Sequence, residues 1–252
     1  MNIAVITGAS SGLGREYVAQ LAKLPTSPDE VWLIARREER LQAIADAFPS
    51  LKFRCLALDL QQDDAPSIYA KLLKEENPCI TLLINNAGYG KLGNFADGNT
   101  TEQLGMVDLN CRALTAITSL SLPYMKKGSG ILNVCSIAAF APTPRMAVYC
   151  STKAYVYSFS KALRRELKPL GIVVSAVCPG PMATEFLEVA DIVGRSKTFQ
   201  NLPYCSARIV AEKSLRALRK GKGVYTNLLF FKFYRVLAKL LPHSLVMYMS
   251  KT

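Results

Sequence analysis

One histidine, one tryptophan and no CxxC pair occur in 252 residues. The lone His243 excludes a histidine-rich metal site and argues against a Ser-His-Asp triad near the core, and it reads as a surface or helix-end residue. The seven cysteines, at 55, 79, 111, 135, 150, 178 and 205, are odd in number and sit mostly in apolar runs such as Val134-Cys135 and Val177-Cys178. That pattern suits small hydrophobes in a reducing cytoplasm and excludes a disulfide framework. No apolar run approaches the roughly 18 residues that span a bilayer. Met1 leads straight into Asn2-Ile3-Ala4-Val5-Ile6-Thr7-Gly8, with no basic region or cleavage site, so the expected location is cytoplasmic.

Acids are scarce too: 19 against 31 basic residues, a net charge of +12. The excess is local. Residues 207–252 hold ten basic residues (four Arg, six Lys) and one acid, Glu212, for a net +9. A nearly neutral body with one basic end argues against a nucleic-acid binder and for a phosphate-bearing ligand or an anionic surface. Half the residues are hydrophobic and 20% are charged, which excludes a disordered or fibrous chain and allows one sizeable core.

Short β-branched or apolar runs alternate with helical patterns, the mark of βαβ units and an α/β fold. Strands are expected near 2–7, 31–35, 52–58, 80–85, 130–136, 172–178 and 223–226, and helices near 12–24, 37–47, 63–76, 101–126, 149–168 and 207–220. Two prolines make Leu24-Pro25-Thr26-Ser27-Pro28-Asp29 a loop. Apolar residues on both faces of strands such as Thr81-Leu82-Leu83-Ile84 predict a doubly wound parallel sheet of seven strands, Rossmann-type, in a single domain over 1–226. Residues 227–252 are expected to form a basic amphipathic extension packed on that domain.

The first strand runs into Thr7-Gly8-Ala9-Ser10-Ser11-Gly12-Leu13-Gly14 and then a helical pattern. Glycines there allow a tight turn and let backbone N–H groups approach a pyrophosphate, whose charge the helix N-terminus favours. The TGxxxGxG spacing resembles the short-chain dehydrogenase/reductase family, and further motifs follow in order. Asn85-Asn86-Ala87-Gly88 is similar to its NNAG element, Ser136 precedes Tyr149-Cys150-Ser151-Thr152-Lys153 (YxxxK) by thirteen residues, and Pro179-Gly180-Pro181-Met182-Ala183-Thr184 resembles PGxxxT.

The resemblance implies roles. Gly8, Ser10, Ser11, Gly12, Leu13 and Gly14 would cradle the pyrophosphate. Asp59 and Leu60 would meet the adenine, Asn86, Ala87 and Gly88 its ribose side, and Pro179, Gly180, Met182 and Thr184 the nicotinamide. Tyr149 would be the general acid/base, Lys153 would depress its pKa and bond the nicotinamide ribose, Ser136 would hold the substrate oxygen, and Asn110 a relay water. Tyr149 and Lys153, four apart, share a helix face, and a phenol of pKa near 10 needs such help at neutral pH. Cys150, Ser151 and Thr152 read as helix packing.

Where an NAD enzyme carries an acid after strand two, this chain has Ala35-Arg36-Arg37, and guanidinium groups suit the 2′-phosphate of NADP(H). Ser11 departs from relatives that carry a basic residue at that loop position. The expected pocket lining is Tyr89, Phe95, Ala138, Phe140, Ala141, Pro142, Met146, Met182, Phe186 and Leu187, with Arg145 near an acidic substrate tail or in solvent. The expected substrate is an apolar carbonyl compound or alcohol, steroid-like, ketoacyl or an aliphatic ketone. A non-catalytic NADP(H) sensor would not need Asn110, Ser136, Tyr149 and Lys153 together. An epimerase-type relative would be longer, with a differently spaced glycine loop. The resemblance also implies a homodimer or homotetramer through the helices near 101–126 and 149–168. In the tail, Leu229, Phe233, Val236 and Leu240 recur at helical spacing beside Lys232, Arg235 and Lys239, Pro242 ends the helix, and Leu245–Met249 adds a second apolar patch. This segment is expected either to pack over the substrate cleft or to contact an anionic membrane surface.

Overall fold

Alternate residues of the first strands divide the core. In the computed structural model, which describes residues 1–24, 27–192, 196 and 201–249, strand β1 (Asn2–Thr7) sends Ile3 and Val5 into one buried cluster and Ala4 and Ile6 into another on the opposite face. Strand β2 (Glu30–Ala35) does the same with Trp32 and Ile34 against Val31 and Leu33. Both faces are therefore covered, as a parallel sheet requires. With β3 (Phe53–Ala57), β4 (Cys79–Asn85), β5 (Met125–Val134), β6 (Val173–Val177) and β7 (Val224–Tyr225), the sheet has seven parallel strands in the order β3-β2-β1-β4-β5-β6-β7. This is a Rossmann-like α/β fold. The order reverses between β1 and β4, which opens a crevice at the strands' C-terminal ends.

Helices α1 (Gly12–Leu21) and α2 (Glu38–Ala47) cover one face, joined there by α8 (Ala207–Arg219), whose Ser214 Oγ lies 3.0 Å from the Tyr17 hydroxyl of α1. On the other face lie α3 (Ala65–Glu76), α5 (Leu114–Ser121) and α6 (Ala147–Leu167). Helix α4 (Thr100–Val107) leads into α5, α7 (Phe186–Val189) follows β6, and α9 (Leu229–Leu240) and α10 (His243–Met249) follow β7.

The single helix expected over 101–126 is three pieces. Between α4 and α5 the chain takes a π-helical turn at Asp108–Ala113, and Pro123, which has no N–H to continue a helix, sits in a 3-10 turn at Leu122–Tyr124. Strand β5 consequently starts at Met125, before the expected 130, and ends at Val134, before Cys135 and Ser136. Its register against β4 jumps from Ile80↔Met125 to Leu82↔Gly130. Ser129 fills the irregularity by donating to Ile80 O at 2.8 Å. Helix α1 stops at Leu21 rather than 24. Pro25 and Thr26 of the expected loop, and residues 250–252 of the tail, lie outside the described residues.

Candidate active site

Six of the expected site segments begin where a strand ends: Gly8 after β1, Arg36 after β2, Asp59 after β3, Asn86 after β4, Ser136 after β5 and Pro179 after β6. They surround one cavity of about 860 Å³, within the ordinary range for ligand pockets. Of the expected catalytic and cofactor-binding residues, all line it except Gly14 and Asn110.

The dinucleotide end is built from backbone. Gly8 and Gly12 hold φ of 63° and 51°, values that cost other residues strain. Gly8 N donates to Ile34 O at 2.8 Å, tying the turn to β2. The Asn86 side-chain amide clamps the turn from β4, donating to Thr7 O at 3.1 Å and Gly8 O at 2.9 Å. Gly14 lies behind this clamp, against Asn86 and Ala9, which explains its absence from the lining. The first turn of α1 carries no acid, so nothing there opposes a phosphate. Asp59 Oδ1 accepts from Gln61 N at 3.1 Å, which shapes the loop after β3. These features fit a dinucleotide.

Arg37, expected to meet the 2′-phosphate, is already engaged by a carboxylate of the protein. Glu185, just after the PGxxxT segment, accepts from Arg37 at 2.7 and 3.0 Å and from Arg40 at 3.1 and 3.2 Å. Arg37 also donates to Ser10 Oγ at 3.3 Å. The Arg37 hydrogen bond, with help from Ser11 and Arg40, holds the Glu185 carboxyl down at about 2. This clasp joins the loop after β6 to the N-terminus of α2 across the cleft. Arg36 and Arg37 line this end of the cavity, and Arg37 shares the Glu185 carboxylate with Arg40.

The catalytic end depends on α6. Tyr149 and Lys153 are both buried, 7% and 4% exposed. Burial pushes the Tyr149 phenol above its ordinary value, and the Ser136 side chain beside it opposes that shift in part. Burial likewise pushes the Lys153 ammonium down. Lys153 Nζ donates to Val134 O at 3.0 Å and stands 5.8 Å from the centre of the Tyr149 ring. Phe186 packs on the other side of that ring, with centroids 5.6 Å apart.

Asn110 is buried in the π-helical turn behind the cavity wall. Its Oδ1 accepts from Tyr89 N at 3.0 Å, and its Nδ2 donates to Tyr89 O at 2.8 Å and Thr152 Oγ1 at 3.0 Å. Thr152 in turn donates to Tyr149 O at 2.8 Å. Thr152, expected as helix packing, thus also links Asn110 to the helix that carries Tyr149. Gly88 allows the approach: a Cβ there would lie 2.7 Å from Asn110 Oδ1 and 3.3 Å from Lys153 Nζ.

The expected substrate lining is met in part. Tyr89, Ala138, Met146, Met182, Phe186 and Leu187 face the cavity. Phe140 and Ala141 instead cradle the tail, Phe140 lying 6.1 Å from Tyr234 between ring centroids. Phe95, Pro142 and Arg145 stand outside the lining, Phe95 being 64% exposed. The tail supplies what was not anticipated residue by residue: Phe230, Phe231, Phe233, Tyr234 and Leu237 of α9 and Val246 of α10. Phe231 is fully buried over Gly180, where any side chain would collide with its ring.

Comparison with known proteins agrees with this arrangement. A 33% identical uncharacterized oxidoreductase, DltE, of Bacillus subtilis aligns over 90% of this chain and 88% of its own. The very-long-chain 3-oxoacyl-CoA reductase-A of Danio rerio is 33% identical over 74% of this chain and 60% of its own. A short-chain dehydrogenase from Sphingobium yanoikuyae, solved in complex with NADPH, superposes with a TM-score of 0.80 at 26% identity, over 96% of this chain and 97% of that one. The family described as short chain dehydrogenase matches residues 2–191, and the chain belongs to this short-chain dehydrogenase/reductase family of oxidoreductases.

Proposed function

We propose that the protein is an NADP(H)-dependent carbonyl reductase, reversible as a secondary-alcohol dehydrogenase, acting on an apolar substrate of the ketoacyl, steroid-like or aliphatic ketone class. The observation that carries the reading is the convergence of Ser136, Tyr149 and Lys153 on a cavity with a glycine turn, Arg36 and Arg37 at one end and an aromatic roof at the other. The bound nicotinamide supplies or accepts the hydride. In reduction, Ser136 Oγ holds the substrate oxygen and the Tyr149 hydroxyl gives its proton to that oxygen as negative charge develops there. Burial keeps Tyr149 protonated at neutral pH, which suits a donor. Lys153, beside the ring, favours the phenolate left behind and is placed to bond the nicotinamide ribose. Asn110 and Thr152 fix the depth of α6 behind both.

Arg36 at the rim, with the share of Arg37 and Arg40 that Glu185 leaves uncompensated, supports a 2′-phosphate. The NADPH complex of the 26% identical Sphingobium protein and the 3-oxoacyl-CoA reductase named above favour the same cofactor and an acyl-chain substrate. A panel of long-chain 3-oxoacyl thioesters, steroid ketones and aliphatic ketones, read by loss of NADPH absorbance, tests the reading. Turnover of at least one apolar ketone is expected, with Arg36→Ala raising the NADPH KM far more than the NADH KM. Equal efficiency with both cofactors, or no turnover of any ketone, overturns it.

A further inference from the structure

We propose that α9 and α10 form a docking surface for an anionic lipid bilayer. Helix α9 is apolar over more of its circumference than the protein covers. At about 100° per residue, Phe231, Tyr234, Leu237 and Ala238 turn toward the cavity and core. Leu229, Phe233, Val236 and Leu240 fall in an adjoining arc of about 60°. These four are 80, 68, 53 and 74% exposed. Leu245 and Tyr248 of α10 are exposed as well, 45 and 70%. Lys232 and Lys239, both exposed, border the row on its other flank, with Arg235 next to them and bonded to Thr226 Oγ1 at 3.3 Å.

Charge selects the occupant. Residues 227–249, which form α9 and α10, hold three basic residues, Lys232, Arg235 and Lys239, and no acid. A second copy seated face to face on this row would bring two lysine borders together, whereas anionic headgroups neutralise them. An apolar row flanked by lysines is the arrangement of a helix lying in the interface plane, its apolar side at the acyl boundary. No described helix is long and apolar enough to cross a membrane, so the contact is lateral. The adjoining side of the same helix roofs the cavity, and Phe233 belongs to both, so docking sets the cavity mouth against lipid. The docking stands independently of the reaction; the passage of an apolar substrate from bilayer to cavity rests on the proposed function.

The test is co-sedimentation of the full chain with vesicles of phosphatidylglycerol and phosphatidylcholine, against phosphatidylcholine alone, at low and high salt. Binding to the anionic vesicles at low salt, weakened by salt and by omission of phosphatidylglycerol, is expected. Lys232→Gln with Lys239→Gln should weaken it roughly 25-fold, at about fivefold per lysine. Leu229→Gln, Val236→Gln and Leu240→Gln together should weaken it more than tenfold; none of these five residues lines the cavity. NADPH binding and melting temperature report that each variant is folded, and the lysine pair keeps the test if the triple variant is not. No sedimentation with anionic vesicles at low salt, while NADPH still binds, overturns the docking alone. A triple variant that still sediments but changes the molecular mass in lipid-free solution overturns it in favour of pairing between copies. Loss of NADPH binding in the unmodified protein, with sedimentation intact, overturns the reaction and leaves the docking in place.

Discussion

Tyr149 is buried, and burial raises its pKa, so the phenol holds its proton well past neutrality. Reduction, which needs the proton, should therefore be flat near neutral pH and fall in alkali, whereas oxidation, which needs the phenolate, should climb with pH. Tyr149→Phe removes only the donor: kcat is expected to drop about 10²- to 10⁴-fold while NADPH affinity, measured by fluorescence titration, stays within about threefold of the parent. Full activity in Tyr149→Phe would mean the acid is another group. Glu185 supplies the second prediction at this scale. Its ion pairs with Arg37 and Arg40 compete with a 2′-phosphate for the same guanidinium groups. Glu185→Gln is expected to tighten NADPH several-fold and leave NADH unchanged, with little loss of stability, because exposed pairs are worth about 1 kcal/mol or less. The clasp should also open in acid: a carboxyl lowered from 4.5 to about 2 contributes above pH 4.5 and loses that contribution as pH falls toward 2. Ser136, Tyr149 and Lys153 were singled out by the family resemblance, with helix spacing joining the last two on one face. Glu185 and Thr152 were not: each acts through a partner distant in sequence, Arg37 across the cleft and Asn110 across the helix packing, and no local pattern marks either.

At the scale of elements, the strands and the outer helices could be read to within a few residues because two-sided apolar runs leave a parallel strand few alternatives. The breaks could not. The π-helical turn that buries Asn110 follows from its bonds to Tyr89 and Thr152, and the irregular start of β5 from Ser129 reaching Ile80. Pro123 was the one local signal of where α5 must stop. Helix α9 was legible as amphipathic, but which of Phe230, Phe231 and Phe233 turns inward depends on the glycine at 180 that receives one ring. Phe231→Ala should empty that seat. Truncation of a fully buried aromatic costs about 3–5 kcal/mol, so the melting temperature should fall by roughly 10 °C in a domain of this size. The cavity roof should loosen with it, raising KM for an apolar ketone more than it lowers kcat. An unchanged melting temperature would mean that α9 is not held on the domain through this ring.

At the scale of the molecule, two groups of exposed apolar side chains among the described residues have different surroundings. The tail patch is bordered by lysines. The other, Leu104 and Val107 on α4 and Tyr155 on α6, is 60, 43 and 42% exposed and is interleaved with small residues, Ser151, Ala154 and Ser158. Its groups are ordered: the Tyr155 hydroxyl lies 2.8 Å from Thr115 Oγ1, and its ring stacks on Phe159 at 5.9 Å. Without a flanking row of one charge, this second face can meet its own copy across a two-fold axis, where small side chains let the backbones of two α6 helices approach. Specific association needs about 1,200–2,000 Å² of buried surface, an area that α4, α5 and α6 together can supply and a lone exposed residue cannot. We therefore expect a dimer, or a multiple of it, by light scattering at micromolar concentration. Val107→Glu with Tyr155→Glu should shift it to monomer, because two carboxylates from each copy would be desolvated against their counterparts. The lysine-bordered row offers the control: Leu240→Gln should leave the mass unchanged. A monomeric mass for the unmodified chain across the micromolar range would remove the pairing, and a mass that responds to Leu240→Gln and not to the α4–α6 pair would move the interface to the tail.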